Sequence, residues 1–184
     1  MKVLVVVDMQ NDFIDGSLGS PEAQAIVPAV VKKIKECAAD SQYAIFYTRD
    51  THYENYLTTN EGKHLPVEHC IFRTYGWQIN DDVRCASEGA TWAEAQNKFT
   101  FGMQDIAPMI GSIPDVCSFD NPEVESIEIV GLCTDICVVS NALILKAVFD
   151  ETPITVYQDC CAGVTPAKHE AALEVMRSCQ IEVV

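Results

Sequence analysis

Positive charge is scarce in this chain. Twelve lysines and arginines stand against 27 acids, leaving a formal net charge of −15 over 184 residues. A polyanion is a poor partner for nucleic acid or an anionic membrane face, so neither is expected as a partner. Long apolar runs are missing too. None approaches the ~20 residues of a membrane span, and the apolar start is closed early by Asp8. That start has neither the length nor the small-residue cleavage site of a signal peptide, so a cytoplasmic protein is expected. Cys-x-x-Cys pairs are also absent. The nine cysteines are an odd number, which fits reduced thiols better than a disulfide framework or a zinc ribbon. Cys160-Cys161 reads as packing. Nor is there a glycine-rich phosphate fingerprint. The Gly16-Ser17-Leu18-Gly19 stretch lacks the G-x-G-x-x-G spacing and lies too far from the first strand.

What the chain does have is alternation of apolar strands with helices. Val3 to Val7 reads as a strand buried on both faces, followed by a turn-rich loop from Met9 to Ser17. Helical spacing joins Ile26, Val27, Val30, Val31, Ile34 and Cys37. Proline suits a first helical turn, so this helix is expected to start close to Pro28. Tyr43 to Thr48 is a second strand. Thr51 to about Tyr75 has no periodicity, and loops of that length are usually functional. A short helix near Asp81 to Glu88, a strand over Thr91 to Asn97 and a helix within Gly102 to Ile110 follow. Residues 111–121 are turn-rich. A strand from Ile127, an almost wholly apolar helix from Asp135 to Phe149, and a strand from Ile154 ending near Asp159 come next. Pro166 to Ser178 is a helix capped by Thr165, and Ile181 to Val184 a last strand. Such a helix as 135–149 must be buried on more than one side, which a subunit contact could complete. The pattern predicts one α/β domain over residues 1–184, a three-layer α/β/α sandwich around a mainly parallel, Rossmann-like sheet.

In such sheets ligands bind past the carboxyl ends of the strands. Asp8, Asp50, Lys98 and the segment Cys133 to Cys137 all fall there. In that segment a strand breaks at Gly131 and restarts as a helix, with Thr134 as the expected N-cap. Cys137 would lie in the first turn, where the helix dipole is expected to lower the thiol pKa. A thiol, a carboxylate to accept its proton and a lysine to hold both suffice for acyl transfer through a thioester. Each also has an ordinary alternative: a buried small hydrophobe, a turn cap and a solvated lysine.

The motifs resemble those of the isochorismatase-like cysteine hydrolases, in the nicotinamidase/pyrazinamidase-like branch. Matching pieces are Val-Val-Asp-Met-Gln-Asn-Asp-Phe at 6–13, Gly-Ser-Leu at 16–18, Thr-Arg-Asp-Thr-His at 48–52, Glu-Gly-Lys-His-Leu-Pro-Val-Glu-His-Cys at 61–70, Lys98, and Gly-Leu-Cys-Thr-Asp-Ile-Cys-Val at 131–138. The resemblance implies a catalytic triad of Asp8, Lys98 and Cys137. It implies a non-proline cis peptide at Leu132–Cys133, with the backbone N–H groups of Cys133 and Cys137 as an oxyanion hole. It implies Phe13 and Leu18 as substrate-binding side chains, and Asp50, His52, Glu61 and His69 as ligands of a divalent metal. Zinc is expected, with manganese or iron possible for such a mixed ligand set. The four ligands could also form a metal-free clasp. His64 has no assigned role, and His169 is expected to be structural.

The implied activity is metal-assisted hydrolysis of nicotinamide or a pyrazinamide-like amide, in a homo-oligomer, a dimer or tetramer. The chain departs from the pattern where Leu65 precedes Pro66, a place often aromatic in nicotinamidases, and in Phe99-Thr100-Phe101-Gly102 after the lysine. Another small amide, a carbamoyl or ureido substrate, or a non-catalytic metal-binding or assembly role are the alternatives.

Overall fold

The structure, a computed structural model, describes residues 1–113 and 124–184. Its strands are β1 (Lys2–Val7), β2 (Tyr43–Asp50), β3 (Trp92–Lys98), β4 (Ser126–Leu132), β5 (Ile154–Ala162) and β6 (Glu182–Val183). Its α-helices are α1 (Asn11–Ile14), α2 (Pro21–Ala38), α3 (Asn60–His64), α4 (Asp81–Cys85), α5 (Ile106–Gly111), α6 (Val139–Val148) and α7 (Pro166–Ser178). The strands form one parallel sheet in the order β3-β2-β1-β4-β5-β6. Alternating strand residues feed two cores. Val3, Val5, Val7, Phe46 and Ile129 pack under α5, α6 and α7. Leu4, Val6, Ile45, Tyr47 and Val130 pack under α2 and α4. The result is the expected three-layer arrangement, and its crevice lies between β1 and β4, where the strand order reverses.

β1 and β4 approach closely. Gly131 has φ +123°, and a Cβ there would meet the Val7 carbonyl oxygen at 2.1 Å. Only glycine takes this position without moving one strand.

Several local expectations are corrected. α2 begins at Pro21, not near Pro28, with the Ser20 hydroxyl accepting from the Ala23 N–H at 3.0 Å. Pro28 sits inside the helix but on its exposed side, where water can serve the carbonyl freed by the missing N–H. The buried stripe of Ala23, Ile26, Val30, Ile34 and Cys37 outweighs that break. The loop after β1 contains α1, and the 51–75 loop contains a 3₁₀ turn (Tyr56–Thr58) and α3. β5 runs on to Ala162, beyond Asp159. Thr165 caps α7 as expected, accepting from the Lys168 N–H at 3.3 Å.

Thr134 is not the N-cap after β4. Cys133 is, and Thr134 to Val138 is a π-turn that precedes α6. The buried Thr134 hydroxyl instead pairs with Nδ1 of His169 at 2.8 Å, tying the turn to α7. His169 therefore has a structural contact, as expected. α6 buries Asn141, Ala142 and Leu145, half-buries Leu143 and Ile144, and leaves Val148 exposed. The turn-rich expectation over 111–121 lies mostly outside the described residues. Cys160 and Cys161 are free and packed in opposite cores.

Candidate active site

The strand ends bring Asp8, Lys98 and Cys137 together. Asp8 follows β1 with φ +48°, a left-handed conformation unusual outside glycine. Its Oδ1 accepts from the Thr48 hydroxyl at 2.7 Å, and its Oδ2 faces Lys98 Nζ at 2.8 Å. Lys98 Nζ lies 3.4 Å from Cys137 Sγ and 3.1 Å from Asp50 Oδ1. The side chains of Asp8 and Lys98 are wholly buried. Asn141, one helical turn on, donates to the Cys137 carbonyl at 2.8 Å and accepts from the Met103 N–H at 2.9 Å. The Leu132–Cys133 peptide is cis, at the position the sequence motif implied.

The expected fall in the Cys137 pKa is corrected. Burial pushes the thiol up, the Lys98 charge opposes it, and the neighbouring Asp8 and Asp50 carboxylates add to the rise. A single π-turn does not offset complete desolvation. Asp8 is likewise pushed up, chiefly by burial and against the pull of Lys98. Lys98 loses from burial but gains more from Asp8, Cys137 and Asp50, which hold it firmly protonated. The resting arrangement is a neutral thiol beside a strengthened base, with the ammonium between two carboxylates.

The second cluster adjoins the first. Asp50, His52, Glu61 and His69 each turn one ligand atom inward, all within 4.8 Å of one another. His52 Nε2 is 2.9 Å from Asp50 Oδ2 and 3.5 Å from Glu61 Oε1. His69 Nε2 is 3.6 and 3.7 Å from the same two oxygens. His69 Nδ1 lies 2.8 Å from the Val67 carbonyl. Nδ1 is therefore the donor, which leaves Nε2 free to ligate, as in many metal sites. Burial pushes Asp50 up, but hydrogen bonds from His52 and His69 and the Lys98 charge outweigh it and hold its carboxyl well below the usual range. Glu61 is raised by burial and by Asp50. Two imidazoles and two carboxylates at these separations fit Zn²⁺, Mn²⁺ or Fe²⁺. His64 stays outside, exposed and bonded to the Asn60 carbonyl.

Three residues of one motif tether these pieces. Asp8 meets Lys98. Gln10 grips the Asp50 backbone through both ends of its amide, at 2.9 and 2.7 Å. Asp12 accepts from the Cys70 N–H at 2.7 Å, next to His69. The roles of Gln10 and Asp12 lie beyond what the sequence assigned, although their i, i+2, i+4 spacing from Asp8 was the available signal.

A cavity of about 400 Å³ opens onto both clusters. Phe13 and Leu18 line it, with Asp50, Glu61, His69, Cys133 and Cys137. Leu65, Phe101, Ile136, Val164 and Lys168 also line the wall. Of these, Leu65, Phe101 and Ile136 fall in stretches the sequence singled out. Ile136 follows from its place between Cys133 and Cys137, whereas Val164 and Lys168 have no sequence signal.

A buried cysteine–aspartate–lysine cluster at the β1/β4 crevice, beside a four-ligand metal-type group, defines a family. The isochorismatase domain family model matches residues 2–113 and 118–184, and the chain belongs to that family. Within it the chain lies in the nicotinamidase/pyrazinamidase-like branch. It is 28% identical to a nicotinamidase/pyrazinamidase of Mycobacterium tuberculosis, over 100% of this chain and 98% of that protein. The crystal structure of a Pyrococcus horikoshii pyrazinamidase in complex with zinc matches with a TM-score of 0.75 and 27% identity, covering 100% of this chain and 98% of that one. A pyrazinamidase/nicotinamidase of Streptococcus mutans shares the fold with a TM-score of 0.83, 24% identity and full coverage of both chains.

Proposed function

We propose that the protein is a cysteine amidohydrolase, one domain over residues 1–184, that converts nicotinamide or a pyrazinamide-like amide to the acid and ammonia. The observation that carries this reading is the contact of Cys137 with Lys98, and of Lys98 with Asp8, at the wall of a cavity into which Asp50, Glu61 and His69 also face.

The raised base suits the task. As Cys137 sulfur attacks the carboxamide carbon, its proton passes to Asp8, whose raised pKa makes it a competent acceptor. Lys98 stabilises both partners while the proton is in transit. The backbone N–H groups of Cys133 and Cys137 receive the developing oxyanion, a contribution typically worth on the order of 10²–10³ in rate per donor. Asp8 then returns the proton to departing ammonia. Water enters, Asp8 takes its proton, and the thioester opens to the acid and the free thiol. Phe13 and Leu18 hold the ring. A divalent ion on Asp50, His52, Glu61 and His69 would supply an electrophilic anchor for a ring nitrogen.

Eight free cysteines among the described residues support a reducing, cytoplasmic setting. No helix among the described residues is long and apolar enough to cross a membrane. The exposed Val148 on the largely apolar α6 supports a dimer or tetramer, which light scattering would test.

The decisive experiment incubates enzyme loaded with Zn²⁺, Mn²⁺ or Fe²⁺ with nicotinamide and pyrazinamide and measures ammonia. Release above a Cys137→Ala control is expected, and none would sink the reading. Leu65, not an aromatic side chain, lines the cavity. That favours a second reading in which a small ureido or carbamoyl compound is the better substrate. Adding such compounds to the same assay separates the two.

A further inference from the structure

On the opposite face of β2 and β3 lies a second groove of about 410 Å³, lined by Tyr47, Arg49, Trp77, Arg84, Ala93 and Ala95 among others. Arg49 and Asp50 are consecutive on β2, so their side chains alternate between faces. Asp50 lines the candidate active site and Arg49 lines this groove. The Arg49 guanidinium lies 4.3 Å above the Trp77 ring. Its Nε is buried and has no acceptor. Two carboxylates lie in the groove, yet neither pairs with Arg49. Asp81 accepts from Arg84 at 3.2 Å, and Glu94 accepts from Gln96 at 2.5 Å. Ala93 and Ala95 put little bulk on the β3 floor.

A partly desolvated cation is ordinarily paired, and in a chain of net charge −15 carboxylates are plentiful. Here a guanidinium lies over an indole at the wall of a groove, its Nε without an acceptor and with no carboxylate of its own among the described residues. Arginine in that state presents two parallel donors that match a carboxylate or phosphate. We infer that this groove is a second binding site, for a compact oxyanion of the carboxylate or phosphate class, with Arg49 as the anchor and Arg84 as a supporting cation.

Trp77 supplies the readout. The chain has two tryptophans, so a Trp92→Phe background leaves Trp77 as the only indole, stacked under the proposed anchor. Inorganic phosphate, acetate and nicotinate would be titrated separately at constant ionic strength, with chloride as the balancing anion. A saturable change in Trp77 emission is expected with phosphate or with a carboxylate, and which one saturates identifies the source. Affinity should fall at least about tenfold in Arg49→Met, as loss of a bidentate charge-assisted pair implies. A fall of a few fold is expected in Arg84→Ala. Arg49→Lys, which keeps the charge and the stem but not the fork, should bind weakly, and it serves if Arg49→Met does not fold. No saturation with any of the three anions would overturn the assignment. So would equal saturation in both Arg49 variants.

Discussion

Two lysine–carboxylate pairs sit on this sheet, one partly and one wholly buried, and only the second adjoins the candidate active site. Lys33, on α2, meets Glu128 of β4 at 2.5 Å, while Tyr43 donates to the other Glu128 oxygen at 2.7 Å. The Lys33 ammonium also lies 3.9 Å above the Tyr157 ring. Lys98 meets Asp8 at 2.8 Å and Asp50 at 3.1 Å. Ion pairing is therefore shared, and burial differs only in degree. The differences are what surrounds each pair. Lys33 is closed in by a phenol, an aromatic face and the buried Cys37, with no described cavity on it. Lys98 touches a thiol that opens onto a cavity, and one of its carboxylates also belongs to the metal-type cluster. A buried ion pair alone is weak evidence of function or of stability. A nucleophile, a second carboxylate and an open cavity turn one into a candidate site.

The largest expected effect breaks the comparison at its sharpest point. Cys137→Ala should lower kcat/KM for amide hydrolysis by on the order of 10⁴-fold or more, as loss of a nucleophile acting with its partners does. Its melting curve should stay close to that of the parent.

Next, Lys98→Met strands two buried carboxylates and should cost about 3–5 kcal/mol in urea unfolding, with activity lost as well. Lys33→Met strands one carboxylate that keeps its phenol partner. It should cost about 1–3 kcal/mol and leave kcat/KM unchanged. A loss of kcat in folded Lys33→Met would erase the distinction.

The Lys33 region should also contribute to alkaline stability. Burial pushes the Cys37 thiol up to about 12, against the pull of Lys33. Burial and Glu128 raise Tyr43, and Glu128 and Tyr157 raise Lys33 despite its burial. Above the unfolded cysteine value near ~8.5, the unfolded chain releases a proton that the folded chain keeps. Stability is thus fully present below that pH and falls as pH rises toward about 12. Thermal melting should decline over this window, and less steeply in Cys37→Ala.

The smallest effect falls on Cys133. Burial and Asp135 push its thiol up to about 12, so it stays protonated. Cys133→Ala should retain most activity in the ammonia assay.

Much of this contrast was legible before the structure. Asp8, Asp50 and Lys98 stand at strand ends, and the acids close apolar runs that sequence periodicity exposes directly. The metal-type loop was legible through residue type, since three histidines cluster in a stretch without periodicity. What escaped depends on geometry across the sheet. Thr134 has the residue type of a cap, but the turn opens into a π-turn and its hydroxyl serves His169. The Cys137 pKa follows burial, which one segment cannot report. Pro28 survives inside a helix because of which side it faces. The Arg49–Trp77 groove joins β2 to a loop residue 28 positions away, and no local pattern announces it.

The candidate centre draws one residue from the end of each of β1, β2 and β3 and one from the turn after β4. Its key contacts span 48 and 39 residues of chain. Closing loops of that length precedes any reward from the contacts they allow. Among the described residues, no single βαβ unit carries Asp8, Lys98 and Cys137 together. Recovery of catalysis after dilution from denaturant should therefore lag behind recovery of helical signal. Fragments ending before β4 should be inert however well they retain local structure. In this architecture, turnover would report completion of the β3-β2-β1-β4 part of the sheet.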